Sequence, residues 1–219
     1  MIMVSIIGDS ISTFDGFNPD GYEIFYDEIN KARNELYDVI DTWWAKTLKH
    51  FGWDLCVNNS YSGSKVSGDN FPAAVSHERL LRLHSDTNNP DLLLVYIGFN
   101  DFGYGVDKTV FADAYRNMIF QINDLYPTTR VICGTLMRSK IKNHNDWIFP
   151  ESFAGISLEE YNHTIRKICH DTNVYIADLS AKEQRYETID GTHPTFKGHA
   201  TIANAWIDCL EQLKLDFVK

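Results

Sequence analysis

Two short segments near opposite ends of the chain carry residues that could perform acyl-transfer chemistry together. One reads GDSIS at residues 8–12, and the other reads DGTHP at residues 190–194. A serine hydroxyl becomes a nucleophile when a histidine takes its proton, and a carboxylate three residues before that histidine can orient the imidazole. The residue types and their spacing therefore predict Ser10 as nucleophile, His193 as general base and Asp190 as the orienting acid.

Two further segments support this interpretation, because each of the first two is weak alone. A lone Gly-Asp-Ser is more often a turn or a helix cap, and histidines often occur in structural turns. The additional segments read NSYSGS at residues 59–64 and GFND at residues 98–101. The prediction of a catalytic site rests on all four segments occurring in one chain.

Together, the four segments resemble those of the SGNH hydrolases, also called the GDSL esterase/lipase family. Members of that family carry a Ser, a Gly, an Asn and a His in this order, and the matching positions are Ser10, Gly63, Asn100 and His193. Phe99 departs from the pattern, because the third block commonly has a second glycine there. The resemblance implies an oxyanion hole built from the backbone N–H groups of Ser10 and Gly63 and the side-chain amide of Asn100.

An ester hydrolase is the function that this resemblance implies. The expected substrate is a small acyl ester, with an acetylated carbohydrate as one candidate, and the reaction would pass through an acyl-enzyme on Ser10. An acyltransferase that uses the same triad remains open as an alternative. A non-catalytic flavodoxin-like binding module is the alternative from another class, but it would be expected to lack some of the catalytic residue types.

Short apolar runs alternate with longer amphipathic stretches along the chain. Nearly continuous apolar runs are typical of strands buried on both faces, and strand–helix alternation predicts a parallel sheet covered by helices. The resemblance implies a more specific α/β fold, a three-layer α/β/α, flavodoxin-like domain with a five-stranded parallel sheet, spanning residues 1–219. The predicted strands are Met3 to Ile7, Trp53 to Asn58, Leu92 to Ile97, Arg130 to Thr135 and Val174 to Ala177.

Helices are predicted between these strands from apolar spacing and from capping signals. Spacing of three and four residues predicts helices over 42–50 and 110–125. A capping box at Ser157 predicts the start of the helix before the last strand, and Pro194 is expected at the first position of the final helix. Because ligands bind at the carboxyl ends of parallel strands, the segments that follow strand ends are expected to meet there.

Two segments interrupt the alternation and are expected to border the pocket, since both follow strands on the catalytic side. They are residues 13–40, here called the flap, and residues 138–156. The flap mixes aromatic with acidic side chains, a combination that suits a sugar. The alternative is a structural flap whose aromatic rings pack on the domain.

Charge and composition exclude several functional classes. The formal net charge of −10 disfavours nucleic acids and anionic membranes as partners, so a small-molecule ester is the expected partner. Metal-ligand spacing and nucleotide-binding loops are missing from the sequence, so no metal and no cofactor is expected. The short apolar N-terminal run, the lack of any roughly 20-residue apolar stretch and four unpaired cysteines, expected to be buried, favour a cytoplasmic protein.

Three other polar residues lie close to the motifs in the sequence. Asp9 and Asp101 lie beside the predicted site residues and are expected to brace loops as hydrogen-bond acceptors. His199 could replace His193 as the base, but it has no carboxylate three residues before it. His193 is therefore the preferred base.

Overall fold

The computed structural model describes residues 1–142, 152–213 and 215 of the 219-residue chain. The strands in chain order are β1 (Met3–Gly8), β2 (Asp54–Ser60), β3 (Leu92–Tyr96), β4 (Arg130–Gly134), β5 (Arg138–Ile141), β6 (Ser152–Phe153), β7 (Ile156–Ser157), β8 (Tyr175–Ala177) and β9 (Arg185–Thr188). The helices are α1 (Lys31–Asn34), α2 (Trp43–Phe51), α3 (His77–Leu80), α4 (Phe99–Gly103), α5 (Lys108–Leu125), α6 (Leu158–Thr172) and α7 (Phe196–Gln212).

Five strands form the central sheet in the order β2-β1-β3-β4-β8, and all neighbouring strands run parallel. The middle strand β3 reads LLLVY and is buried at every position, as expected for a strand covered on both faces. This confirms the predicted three-layer, flavodoxin-like α/β fold. The predicted strands agree with the observed bounds to within two residues at each end.

Helices pack in pairs on the two faces of the sheet. Helix α2 contacts α7 on one face, where the buried rings of Trp43 and Trp206 stack with centroids 5.3 Å apart. Helix α5 contacts α6 on the other face, where Phe111 packs against Tyr161. Amphipathic helices that bury one stripe each against the sheet complete the three layers.

Capping residues set the starts of the last two long helices. Ser157 and Glu160 form the predicted capping box of α6. The final helix was predicted to begin at Pro194, and this is wrong: Thr195 is its N-cap, and the Thr195 hydroxyl accepts the N–H of Gly198 at 3.2 Å. Pro194 instead forms a bridge with Thr188, which places it before the helix.

Residues 138–156, predicted only as a pocket-bordering insertion, contain regular structure. Strand β5 pairs in parallel with β9, and β6 forms a small hairpin with β7. Residues 143–151 of this segment lie outside the described residues. Because β9 ends at Thr188, the β5–β9 pair holds the start of the segment that carries the predicted base.

All four cysteines are free thiols, but their burial is only partly as predicted. Cys133 and Cys169 are buried, whereas Cys56 and Cys209 are partly exposed. Cys56 lies on β2, which is an edge strand, and Cys209 lies near the end of the outer helix α7. Among the described helices, none is both long and apolar enough to cross a membrane.

Candidate active site

The predicted nucleophile Ser10 lies in a tight turn at the carboxyl end of β1. The Asp9 carboxylate caps this turn by accepting the N–H of Ile11 at 3.0 Å. A glycine is required just before it, because a Cβ atom on Gly8 would lie 2.6 Å from the side chains of Ser12 and Ser60. The strand end therefore fixes where the Ser10 hydroxyl lies.

His193 and Asp190 meet Ser10 in a continuous chain of hydrogen bonds. The Nε2 atom of His193 lies 2.8 Å from the Ser10 Oγ atom, and its Nδ1 atom lies 2.8 Å from Oδ2 of Asp190. The other Asp190 oxygen accepts the backbone N–H groups of Thr192 and His193. Partial burial raises the pKa of Asp190, but the hydrogen bonds and charge of His193 outweigh it and bring the pKa to about 2.

An ionised Asp190 determines which imidazole nitrogen carries the proton. A carboxylate accepts hydrogen bonds only, so the Nδ1 atom of His193 is the donor and the Nε2 atom is free to accept the Ser10 hydroxyl proton. The arrangement thus has the geometry of a nucleophile, a base and an orienting acid.

Hydrogen bonds from several elements fix the loop that carries His193. Ser139 on β5 donates to the carbonyl of Gly191 at 2.5 Å, and Tyr186 on β9 donates to the carbonyl of Thr192 at 2.9 Å. The β5–β9 pair therefore holds the base in place.

Gly63 lies in a loop that is joined to Asn100 by a second set of hydrogen bonds. The Asn100 side-chain amide donates to the carbonyl of Ser64 at 2.9 Å. The Asp101 carboxylate accepts the N–H groups of Val66 and Ser67 at 2.7 and 3.0 Å. Asp9 and Asp101 both brace loops, as the sequence predicted.

The turn of Ser10, the loop of Gly63 and the Asn100 side chain have N–H groups that are free to donate hydrogen bonds. Among the described residues, no acceptor pairs with the backbone N–H of Ser10 or of Gly63. Gly63 has a φ of 72°, a conformation that glycine adopts without strain. Asn100 uses its amide for Ser64 and retains a second N–H.

Phe99, the departure from the family pattern, turns away from solvent. It is 4% exposed, and its ring contacts the rings of Tyr96 and Tyr186 edge-on at 5.7 and 6.3 Å. The phenyl group therefore extends the aromatic core beneath α4.

His199, the alternative base, has a structural role. It is fully buried, and its Nδ1 atom accepts the backbone N–H of Trp43 at 3.1 Å. Burial lowers the pKa of His199 to about 3, so the ring is neutral at physiological pH. His199 therefore anchors α2 to α7, and the hydrogen bond to Ser10 comes from His193.

The flap both packs on the fold and reaches the site. Tyr26 is buried and donates its hydroxyl to the carbonyl of Pro194 at 2.9 Å, while Phe17 contacts Trp44. The ring of Phe25 stacks on the imidazole of His193, with centroids 3.5 Å apart and planes 7° from parallel. Phe25 therefore places this part of the flap beside the imidazole of His193.

Arg79 is a residue of this site that the sequence did not reveal. Its side chain is fully buried and donates to the carbonyls of Gly8 and Asn59, at 2.7 and 2.9 Å, and to the Ser64 hydroxyl at 3.1 Å. Burial lowers the pKa of Arg79 to about 10, so the guanidinium remains charged at neutral pH. One cation thereby ties the ends of β1 and β2 to the Gly63 loop.

Within the described ranges, no group of three or more His, Cys, Asp or Glu side chains has the arrangement of a metal site.

Comparisons with known proteins identify the family of the chain. The sequence model of the GDSL-like lipase/acylhydrolase family matches residues 2–210. A search of curated proteins finds no significant match. Among solved structures, a protein described as a GDSL-like lipase from Bacteroides ovatus has a TM-score of 0.71 and 23% identity, over 97% of this chain and 99% of that one.

Two further structures are similar. One, described as a GDSL-like lipase from Bacteroides uniformis, has a TM-score of 0.70 and 25% identity over 96% of both chains. The other is a family two carbohydrate esterase from Clostridium thermocellum, with a TM-score of 0.63 and 18% identity over 96% of this chain and 63% of that one. With a family match across nearly its whole length, the chain belongs to the GDSL-like lipase/acylhydrolase family of the SGNH hydrolase superfamily and is a carboxylic ester hydrolase.

Proposed function

We propose that the protein hydrolyses small acyl esters through an acyl-enzyme on Ser10, with an acetylated carbohydrate as the preferred substrate. The observation that carries this proposal is the hydrogen-bonded chain from Ser10 through His193 to Asp190, with both links at 2.8 Å. A single catalytic domain formed by residues 1–219 is part of the same proposal.

Acylation begins when His193 takes the Ser10 hydroxyl proton through its Nε2 atom. The Ser10 oxygen bonds to the ester carbonyl carbon, and the π electrons of the carbonyl move to its oxygen. His193 then gives the proton to the leaving alcohol as the C–O bond breaks, so the acyl group remains on Ser10. Asp190 stabilises the imidazolium that exists between these two transfers.

Deacylation repeats these steps with water as the nucleophile. His193 removes a proton from water, the new oxygen bonds to the acyl carbon, and the proton returns to the Ser10 oxygen as the carboxylic acid leaves. In both halves, negative charge develops on the carbonyl oxygen. The N–H groups of Ser10 and Gly63 and the amide of Asn100 are the proposed donors to it, and one such donor contributes about 2.7–4 kcal/mol in a comparable hydrolase.

Aromatic side chains around the site support a sugar ester over a long-chain lipid. Tyr22 of the flap is 39% exposed and packs edge-on against Tyr61 and Phe71. Tyr104, which follows the helix that carries Asn100, is 74% exposed. Exposed rings can stack on a pyranose, and the carbohydrate esterase named above has the same fold.

A substrate panel compared in wild-type and Ser10→Ala proteins tests the proposal. Wild type should cleave acetylated sugars and p-nitrophenyl acetate faster than long-chain p-nitrophenyl esters. Ser10→Ala should lose about 10⁶ in kcat, the scale for a lost triad nucleophile, and keep its melting temperature. Near-wild-type turnover by Ser10→Ala would refute the mechanism, and a preference for long acyl chains would refute the substrate class.

An acceptor alcohol added to the same assay separates hydrolysis from acyl transfer. The acyltransferase alternative predicts that most product becomes the new ester, whereas a hydrolase releases mainly the free acid. A protein with no turnover on any ester would fit the non-catalytic binding module.

A further inference from the structure

We propose that Phe25 of the flap is a positioning residue for His193, and this inference rests on the proposed role of His193 as base. The two rings lie face to face, 3.5 Å apart and 7° from parallel. Phe25 has one further ring contact among the described residues, an edge-on contact with Tyr26 at a centroid distance of 5.0 Å. The phenyl face therefore covers one side of the imidazole.

Anchors on both sides of Phe25 keep its ring on the imidazole. The Phe25 N–H donates to the Thr13 hydroxyl at 3.0 Å, and that hydroxyl donates to the carbonyl of Ser10 at 2.9 Å. On the following residue, the Tyr26 hydroxyl donates to the carbonyl of Pro194 at 2.9 Å. The flap is thus bonded to the backbone of the nucleophile turn and to the residue after the base.

This stacking constrains a rotation of the imidazole that would separate the base from both partners. Rotation of the His193 ring out of its plane would move Nδ1 away from Asp190 and Nε2 away from Ser10. The phenyl ring blocks that rotation on one face. A small misalignment of a catalytic group costs a large factor in rate, so restricting this rotation preserves the reactive geometry.

Stacking also favours the charged form of the base at the moment it is needed. An aromatic face carries negative electrostatic potential and attracts a cation placed over it. His193 becomes a cation only after it takes the Ser10 proton, so the attraction is gained in the transition state and not with substrate alone. Phe25 should therefore act on kcat more than on KM.

The decisive variant is Phe25→Leu, which fills the space but removes the flat ring. With p-nitrophenyl acetate, kcat and kcat/KM should both fall by about tenfold, equivalent to about 1.4 kcal/mol, with KM nearly unchanged. Phe25→Tyr keeps an aromatic face over the imidazole and should retain the wild-type rate. Should Phe25→Leu fail to fold, Phe25→Met carries the same test.

A matched control is available on the same flap. Phe17→Leu makes the identical change at a ring that contacts Phe14 and Trp44, and it should leave the rate unchanged. Equal losses in the Phe17 and Phe25 variants would mean that general loosening of the flap, not the stacked ring, causes the effect, and would overturn the proposal.

Inactivation by diisopropyl fluorophosphate provides the second measurement. The Ser10 oxygen bonds to phosphorus, fluoride leaves, and His193 takes the hydroxyl proton, so the rate reports the base without any sugar contact. Phe25→Leu should slow this reaction by the same factor of about ten. An unchanged inactivation rate, or slower turnover of large esters alone, would make Phe25 a substrate contact and overturn the proposal.

Failure of the proposed function gives a different result. Mass spectrometry of inactivated wild type should find the phosphoryl group on Ser10. A label elsewhere, or none, would contradict the triad itself. A label on Ser10 together with a wild-type rate in Phe25→Leu would contradict only the role of Phe25.

Discussion

Asp9 is a buried carboxyl group beside the nucleophile, and its ionisation should make the stability of the fold depend on pH. The side chain is 1% exposed, and its Oδ2 atom has no hydrogen-bond partner among the described residues. Burial raises the pKa of Asp9 from 3.8 to about 6, although the N–H of Ile11 and the charges of His193 and Arg79 oppose the shift. The folded protein therefore holds this proton more tightly than the unfolded chain does.

The sign and size of the effect follow from proton linkage. Between pH 3.8 and about 6, the unfolded chain has lost the Asp9 proton while the folded protein retains it. The free energy of unfolding therefore falls as pH rises, by about 1.4 kcal/mol per pH unit from this group. Above pH 6 both states are ionised, and the accumulated loss from a shift of about two units is about 3 kcal/mol.

Asp9→Asn isolates this contribution, because asparagine also caps the turn but cannot ionise. Urea unfolding of both proteins at several values between pH 4 and pH 8 gives their free energies of unfolding. The difference, mutant minus wild type, should rise by about 2.5 kcal/mol across this range, since Asp9 of the unfolded chain is already more than half ionised at pH 4. Any pH-independent cost of burying the amide cancels from that rise, and Asp69→Asn, at an exposed loop position, controls for loss of one charge. Parallel curves for wild type and Asp9→Asn would refute the reasoning.

Two further predictions concern the chemical step. Asn100→Ala should lower kcat by about 10²–10³ with little change in KM, because one oxyanion donor is lost; a large rise in KM at unchanged kcat would instead identify a substrate-binding residue. Asp190→Asn should lower kcat by about 10⁴, the scale of this change in a serine-protease triad, because an amide favours the wrong tautomer of His193; steady-state kinetics showing a loss below tenfold would contradict that role.

The meeting of the site segments could be predicted from sequence because each follows a strand with a clear apolar pattern. Ser10 follows β1 and Asn100 follows β3, and the carboxyl ends of adjacent parallel strands lie at one edge of the sheet. His193 does not follow a strand of the central sheet. Only its chemistry, with a carboxylate three residues before it, indicated that it belongs beside Ser10.

Arg79 shows why part of the site could not be predicted. It lies in the segment HERLLR, where alternating charges are typical of a solvated helix surface. Its burial depends on carbonyl groups of Gly8 and Asn59, which come from two other strands. No local sequence pattern indicates these partners, because most of the acceptors are backbone carbonyl groups, which every residue has.

The β5–β9 pair was missed for a similar reason. Its strands are four residues each and read RSKI and RYET, without a continuous apolar run. They form a separate two-stranded sheet and pair across more than forty intervening residues. Their stability comes from this tertiary pairing, to which local propensity contributes little.

The hydrogen bond between Ser10 and His193 joins residues that are 183 positions apart in the chain, and this has a consequence for how activity is acquired. Strand β1 must pair with β2 and β3, and His193 reaches Ser10 only when the segment beyond β9 packs against them. Contacts so distant in sequence are slow to form. During synthesis or refolding, the polypeptide should therefore remain inactive after most of its secondary structure has formed. The recovery of ester hydrolysis should then report the rate of the last folding step.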